Sequence, residues 1–278
     1  MTPPTPARTP PRVPARGLPV SFLVDYDGTI SRLDVGDELL RRHGPDPATI
    51  AEQDVAYDDG RVGSRELMRW DMDVLPPDPA LLRGEAETAA QDEGFTRFVA
   101  AANAAGAAVE VVSDGLGFYV GPNLARLGLA DVPVATNENR LAGGGGGLSF
   151  PYGHPACFVC GTCKRERVRA HQALGRVVVF IGDGTSDRYA AFHADVVLAK
   201  GALAGFCERE GWPFRRWDDF EGLLAWLSIA QRDGSLPAAP SEVAAWRTAH
   251  PAMAARGRPF ICGPEVWGPD RTVPAPAT

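Results

Sequence analysis

Short, wholly apolar runs separated by longer stretches of charged residues and helix formers set the plan of this chain. Phe22-Leu23-Val24, residues 107–112 (AAVEVV) and 176–181 (RVVVFI) are too short for helices and are followed by turn formers. They read as strands buried on both faces of a parallel sheet, with 132–135 and 195–198 as shorter companions. Between them, helical signals fall at 37–42, 47–57, 64–73, 79–91, 93–105, 118–127, 164–171, 187–193, 218–230 and 241–249. The alternation predicts an α/β fold with a parallel sheet flanked by helices.

The helices before residue 93 have no strand among them. Residues 34–92 are therefore expected to form a small helical subdomain inserted after the first strand, with 20–33 and 93–232 as the core. Residues 1–19 hold seven prolines and no apolar periodicity, and are expected to be a disordered tail. Residues 233–278 are rich in Pro and Ala. Trp246, Phe260 and Trp267 suggest that part of this second tail docks. Gly143 to Gly147 lack the Gly-Lys-Ser/Thr ending of a nucleotide loop and read as a flexible hairpin tip.

With 278 residues the chain can hold one large domain, or a core with a small second one. Net charge is −7, and Arg8, Arg12 and Arg16 lie in the N-terminal tail, so the body is more acidic still. Such a body argues against nucleic acid as a partner. No apolar run is long enough to cross a bilayer and no secretory-type leader is visible, so we expect a cytoplasmic protein without a membrane partner. Five cysteines, an odd number, argue against a disulfide framework.

Three of the strands end in residues that carry chemistry. Asp25 and Asp27 (DYDG) follow the first, at the edge where open α/β sheets bind ligands. Two neighbouring buried carboxylates call for a cation or a shared proton. Ser113, Asp114 and Gly115 follow the second, where a hydroxyl and backbone N–H groups can meet an anion. Asp183 and Asp187 (GDGTSD) follow the 176–181 strand. Lys164 opens a helix, where an ammonium opposes the dipole; taken alone it reads as a surface lysine or as one with a functional reason. His154, Cys157, Cys160 and Cys163, spaced H-x2-C-x2-C-x2-C, offer either four zinc ligands or reduced cysteines that pack a loop.

DYDGT, VVSDG, Lys164 and IGDGTSD in this order resemble the haloacid dehalogenase superfamily of phosphatases, over residues 20 to about 230. The resemblance implies a Rossmann-like core with a helical cap between the first two motifs. By it, Asp25 is nucleophile and Mg²⁺ ligand, and Asp27 is acid/base and donates its backbone carbonyl to the metal. Asp183 and Asp187 complete the Mg²⁺ site, and Ser113, Lys164 and the N–H groups of Asp114 and Gly115 grip phosphate. An acid two residues after the nucleophile favours a phosphatase or phosphotransferase over a dehalogenase, which has no leaving alcohol to protonate.

The 88-residue gap from Asp25 to Ser113 fits the phosphoserine phosphatase-like branch. Residues 94–120 and the CFVCGTCKRERV segment are similar to 2-hydroxy-3-keto-5-methylthiopentenyl-1-phosphate phosphatases, which act in methionine salvage. Phosphoethanolamine/phosphocholine phosphatases share a similar Cys-then-Lys segment. Phosphoserine phosphatases carry a substrate-binding Glu where this chain has Asp34, and Ser-Gly-Gly is commoner where it has Ser113-Asp114-Gly115. A small-molecule phosphate ester is the partner implied, with cap residues near Asp34, Tyr57, Arg61 and Trp70 as candidates for choosing it. A phosphate-binding scaffold without activity is the alternative of another class, and a homodimer is left open.

Overall fold

Two strands buried along their whole length, β1 (Val20–Val24) and β6 (Val177–Gly182), lie side by side at the centre of the fold. They pair in parallel, with Val20 opposite Val177. β2 (Ala108–Val112) and β3 (Val134–Ala135) extend the sheet beyond β1; β7 (Val196–Ala199) and β8 (Arg215–Arg216) extend it beyond β6. The order is β3-β2-β1-β6-β7-β8, and every pairing is parallel. The described residues are 17–141, 147–155, 157 and 159–253 of a computed structural model.

Strand alternation splits the apolar residues between two layers. Phe22, Val24, Val179 and Ile181 face one, which α5 (Gly94–Ala104) and α10 (Phe220–Asp233) cover. There the Phe22 and Phe98 rings meet edge to face, with centroids 5.1 Å apart. Leu23, Val178 and Phe180 face the other. Val168 of α7 (Lys164–Ala173), Ala190 of α8 (Arg188–Ala191) and Leu203 of α9 (Gly201–Glu210) pack there. Each such side chain contributes roughly 1.5–3 kcal/mol by leaving water.

Before α5, four helices follow β1 in the sequence: α1 (Val35–His43), α2 (Pro47–Asp58), α3 (Ser64–Val74) and α4 (Pro79–Glu87). Asp34, Asp46 and Asp78 cap the first, second and fourth, each accepting a backbone N–H of the opening turn. Pro47 and Pro79 fit the first helical position, where no N–H is required. After β2 come α6 (Val120–Arg126) and β3. β4 (Glu138–Asn139) and β5 (Leu148–Ser149) then form an antiparallel hairpin around the glycine run. α11 (Val243–Ala249) follows α10 and buries Trp246 against the first layer.

Several boundaries differ from expectation. Residue 18, expected in the tail, belongs to the core: Leu18 is buried and its N–H donates to the Ala105 carbonyl at 2.8 Å. The helix expected over 79–91 stops at Glu87, and Gln91 instead bridges antiparallel to Ser31 as the chain re-enters the core. α9, whose sequence has two glycines, and β8, two charged residues at a sheet edge, carried no readable signal. Most of the expected Pro-rich tail, the glycine tip at 143–146, Phe260 and Trp267 lie outside the described residues.

Candidate active site

Strand order reverses between β1 and β6, because the chain builds outward from β1 on one side and then returns to its other flank. The crevice at the carboxyl ends of two such strands is the usual ligand site of open α/β sheets. Asp25 leaves β1 directly into it and Asp183 leaves β6. The Asp25 N–H donates to the Ile181 carbonyl at 2.9 Å, which locks the two strand ends together.

Lys164, buried at the start of α7, organises the cluster. Its Nζ donates to Asp25 Oδ1 at 2.7 Å, Asp187 Oδ1 at 2.6 Å and Ser186 Oγ at 3.0 Å. The other oxygen of Asp187 accepts the N–H groups of Asp183 at 2.9 Å and Gly184 at 3.0 Å. Thr29 Oγ1 donates to Asp183 Oδ1 at 2.6 Å. Gly28 has φ +70°, and a Cβ there would stand 2.2 Å from Asp183 Oδ2, so only glycine lets the β1 loop come this close.

Oxygens of Asp25, Asp183 and Asp187 lie within 4.8 Å of one another, the convergent set of metal-ligating groups among the described residues. Burial, then repulsion from Asp187, holds the Asp25 carboxyl well above its ordinary range, with Lys164 opposing. The same two causes push Asp183 up to about 6. Burial acts to lower the Lys164 ammonium, but Asp187 and Asp25 outweigh it and raise it. Three carboxylates against one ammonium leave an excess of negative charge on oxygen donors alone. That donor set fits a hard divalent cation such as Mg²⁺.

Asp27 has its own partners. Oδ2 accepts from the Tyr119 hydroxyl at 3.0 Å and lies 3.5 Å from Ser113 Oγ; Oδ1 accepts the Val35 N–H at 3.1 Å. Burial, then the charge of Asp34, holds this carboxyl well above its ordinary range. Ser113 is fully buried, and its Oγ accepts the Gly115 N–H at 3.2 Å. A Cβ on Gly115 would sit 2.4 Å from Asp27 Oδ2, so the approach of this loop also needs glycine.

The Asp114 side chain does something its expected backbone role did not include. It accepts from Ser64 Oγ at 2.6 Å, the Thr162 N–H at 2.7 Å and Asn137 Nδ2 at 3.3 Å. One carboxylate thus joins α3 of the inserted helices to the loop that leads into Lys164. A cavity of about 530 Å³ lies over the cluster, between the sheet edge and α1 to α3, and includes Asp25, Asp27, Asp34 and Tyr57. Of the other cap candidates, Arg61 is exposed beside Asp59 at 3.4 Å, and Trp70 packs against the core. Neither belongs to the cavity wall.

Of the two readings of the Cys-rich loop, zinc is not supported, and Cys157, Cys160 and Cys163 are free thiols. His154, Cys157, Cys160 and Cys163 do not converge as metal ligands, and Asp25, Asp183 and Asp187 are the group that does. Cys163 is buried at the N-cap of α7, where burial raises its thiol. The Cys160 carbonyl accepts from Arg65 Nε at 2.6 Å, so this loop is held by backbone contacts. Tyr119, Ser186 and Thr29 join the site without having been singled out. Ser186 and Thr29 stand inside the aspartate motifs themselves, whereas Tyr119 had no such marker.

A doubly wound parallel sheet with paired aspartates at its switch point, a buried lysine between them and helices over the opening defines a hydrolytic-enzyme scaffold. The sequence profile of the haloacid dehalogenase-like hydrolases matches residues 22–191, and the chain belongs to that family. It is 28% identical over 217 residues to the 2-hydroxy-3-keto-5-methylthiopentenyl-1-phosphate phosphatase of an Exiguobacterium species, covering 74% of this chain and 98% of that one. The enzyme of that name from Brevibacillus brevis is 26% identical over 220 residues, covering 75% and 95%. A substrate-bound phosphoserine phosphatase shares the fold with a TM-score of 0.57 at 18% identity, over 76% of this chain and 98% of that chain.

Proposed function

We propose that this chain is a Mg²⁺-dependent phosphatase that hydrolyses a small-molecule phosphate monoester through an aspartyl-phosphate on Asp25. The observation that carries this reading is the division of labour between the two aspartates of one loop. Asp25 is tied to Lys164 beside Asp183 and Asp187, and Asp27 is held apart by Tyr119 and Val35. Mg²⁺ would be held by the Asp25 and Asp183 carboxylates and the Asp27 carbonyl with Asp187 in support, and would supply charge neutralisation on the phosphoryl oxygens.

The Asp25 carboxylate attacks phosphorus as the bond to the ester oxygen breaks, and Asp27 gives that oxygen its proton. Burial and the charge of Asp34 raise the Asp27 pKa, the direction that suits a general acid. Water then attacks the aspartyl-phosphate and passes a proton back to Asp27. The P–O bond to Asp25 breaks, and inorganic phosphate leaves. Lys164, Ser113 and the N–H groups of Asp114 and Gly115 stabilise the phosphoryl charge. The helices over the cavity serve as the cap that limits access of water.

The relatives' names make 2-hydroxy-3-keto-5-methylthiopentenyl-1-phosphate the first ester to assay. The general test is hydrolysis of p-nitrophenyl phosphate with Mg²⁺ by the full chain. Turnover is expected in the native protein and absent in Asp25→Asn; a variant that retains turnover sinks the mechanism.

A further inference from the structure

The cavity wall opposite the sheet edge is built for positive charge. The lining carries nine aspartates against two cations, Arg32 and Lys164, and Lys164 is already committed to Asp25 and Asp187. Of those aspartates, Asp34, Asp37, Asp54, Asp58 and Asp71 come from the α1 to α3 segment, and Asp58 accepts from Thr185 Oγ1 at 2.7 Å. Asp34 caps α1, and Asp37 has the exposed Arg41 at 3.5 Å. Asp71 has nothing comparable. It is only 7% exposed, it lines the cavity from α3, and its Oδ1 is buried without a hydrogen-bond partner.

A buried carboxylate without a donor is costly unless something that binds supplies one. We propose that Asp71, with Asp34, Asp37 and Asp54 around it, forms a subsite for an alkylammonium group at the far end of the phosphate ester. The inference rests on the phosphatase reading for the other end of that ester. Burial, then the charges of Asp34, Asp37 and Asp54, push the Asp71 carboxyl up to about 8, so the wall is electrostatically strained without a cation.

An ammonium fits better than a second metal ion. The wall acids do not converge as ligands in the way Asp25, Asp183 and Asp187 do. A metal needs oxygens at close range, whereas a bulky organic cation gains from a spread of carboxylates. Tyr57 lines the same cavity and adds an aromatic surface that such cations favour. An ester that ends in an uncharged thioether would leave Asp71 unpaired.

The test compares ω-aminoalkyl phosphonates of increasing chain length with alkyl phosphonates of the same length, by titration calorimetry on the full chain with Mg²⁺. One amine is expected to bind about tenfold or more tightly than its neutral counterpart, the value of a hydrogen bond to a charged group. Asp71→Asn should erase that preference and leave neutral phosphonates within about threefold of native affinity. Should Asp71→Asn fail to fold, Asp54→Asn, at an exposed position, should reduce the preference. Equal binding of every pair by the native chain, or a preference that survives in Asp71→Asn, overturns the subsite. So does a second Mg²⁺ equivalent that the native chain binds and Asp71→Asn loses. Turnover of p-nitrophenyl phosphate separates the two readings. No turnover with the amine preference intact sinks the phosphatase alone, and turnover without the preference sinks the subsite alone.

Discussion

Two acidic groupings share one cavity and are treated oppositely by the fold. At the sheet edge, Asp187 takes two backbone N–H groups and the Lys164 ammonium, Asp25 takes the same ammonium, and Asp183 takes the Thr29 hydroxyl. On the helical wall, Asp71 is as deeply enclosed yet receives no donor. Carboxylates supported from behind keep their positions, as the proposed nucleophile and metal ligands must, and carry a charge excess that the proposed metal would offset. A carboxylate left open waits for a group that the ligand brings. On the proposed reading the core specifies the reaction, and the wall specifies the rest of the molecule that undergoes it.

The largest break in this contrast comes from removing the cation of the satisfied group. Lys164→Met leaves Asp25 and Asp187 facing each other without their shared donor. The expected cost is about 3–5 kcal/mol of stability, read by urea unfolding, together with loss of turnover. An unfolding free energy within about 1 kcal/mol of native would show that the carboxylates do not depend on the lysine. Next comes the metal. At a hundredfold excess over its dissociation constant, Mg²⁺ should stabilise the native chain by about 2.7 kcal/mol. The gain should largely vanish in Asp183→Asn, and equal thermal shifts in the two proteins would place the ion elsewhere.

A smaller effect separates the two aspartates of the β1 loop. Tyr119→Phe removes the hydroxyl on Asp27 Oδ2 and touches nothing on Asp25. We expect kcat to fall by about tenfold on alkyl esters, whose leaving oxygen needs a proton, and less on p-nitrophenyl phosphate. A uniform loss on both substrates would mean that Tyr119 does not act through the acid.

The satisfied group was legible in the sequence because each member directly follows a strand or opens a helix, where motif and geometry coincide. VVVFI followed by GDGTSD announces both the strand and the carboxylates at its end. The two-layer sheet was legible for the same reason, since runs buried on both faces have no other home in a soluble fold. The partners of Asp27 were not, because Tyr119 reaches it across 92 positions of sequence through a turn that no periodicity describes. The Cys-rich spacing suggested zinc, but ligand spacing fixes no side-chain direction, and the loop is held by Arg65 instead.

Asp71 left a faint trace. Met68, Met72 and Leu75 form the buried stripe of α3 and its C-cap, and Asp71 falls within that stripe, not on the polar face. A carboxylate at a core position of an amphipathic helix is a local conflict, and such conflicts gather at functional sites.

That conflict also yields the smallest predicted effect, a pH dependence of stability without ligand. The Asp71 carboxyl is raised from 3.8 to about 8 in the folded chain. Between those values the folded state binds more protons than the unfolded one, so stability falls as pH rises. The contribution is fully present below about pH 4 and is lost as pH passes through about 8. Asp71→Asn cannot ionise and escapes this loss, while Asp37, also raised, remains in both proteins and largely cancels in their difference. The thermal midpoint of Asp71→Asn relative to native should therefore climb between pH 5 and pH 9. A saturating amine phosphonate should flatten the native protein's decline by pairing the charge. A constant offset between variant and native across this range would show that Asp71 does not titrate, and with it would go the electrostatic strain ascribed to the wall.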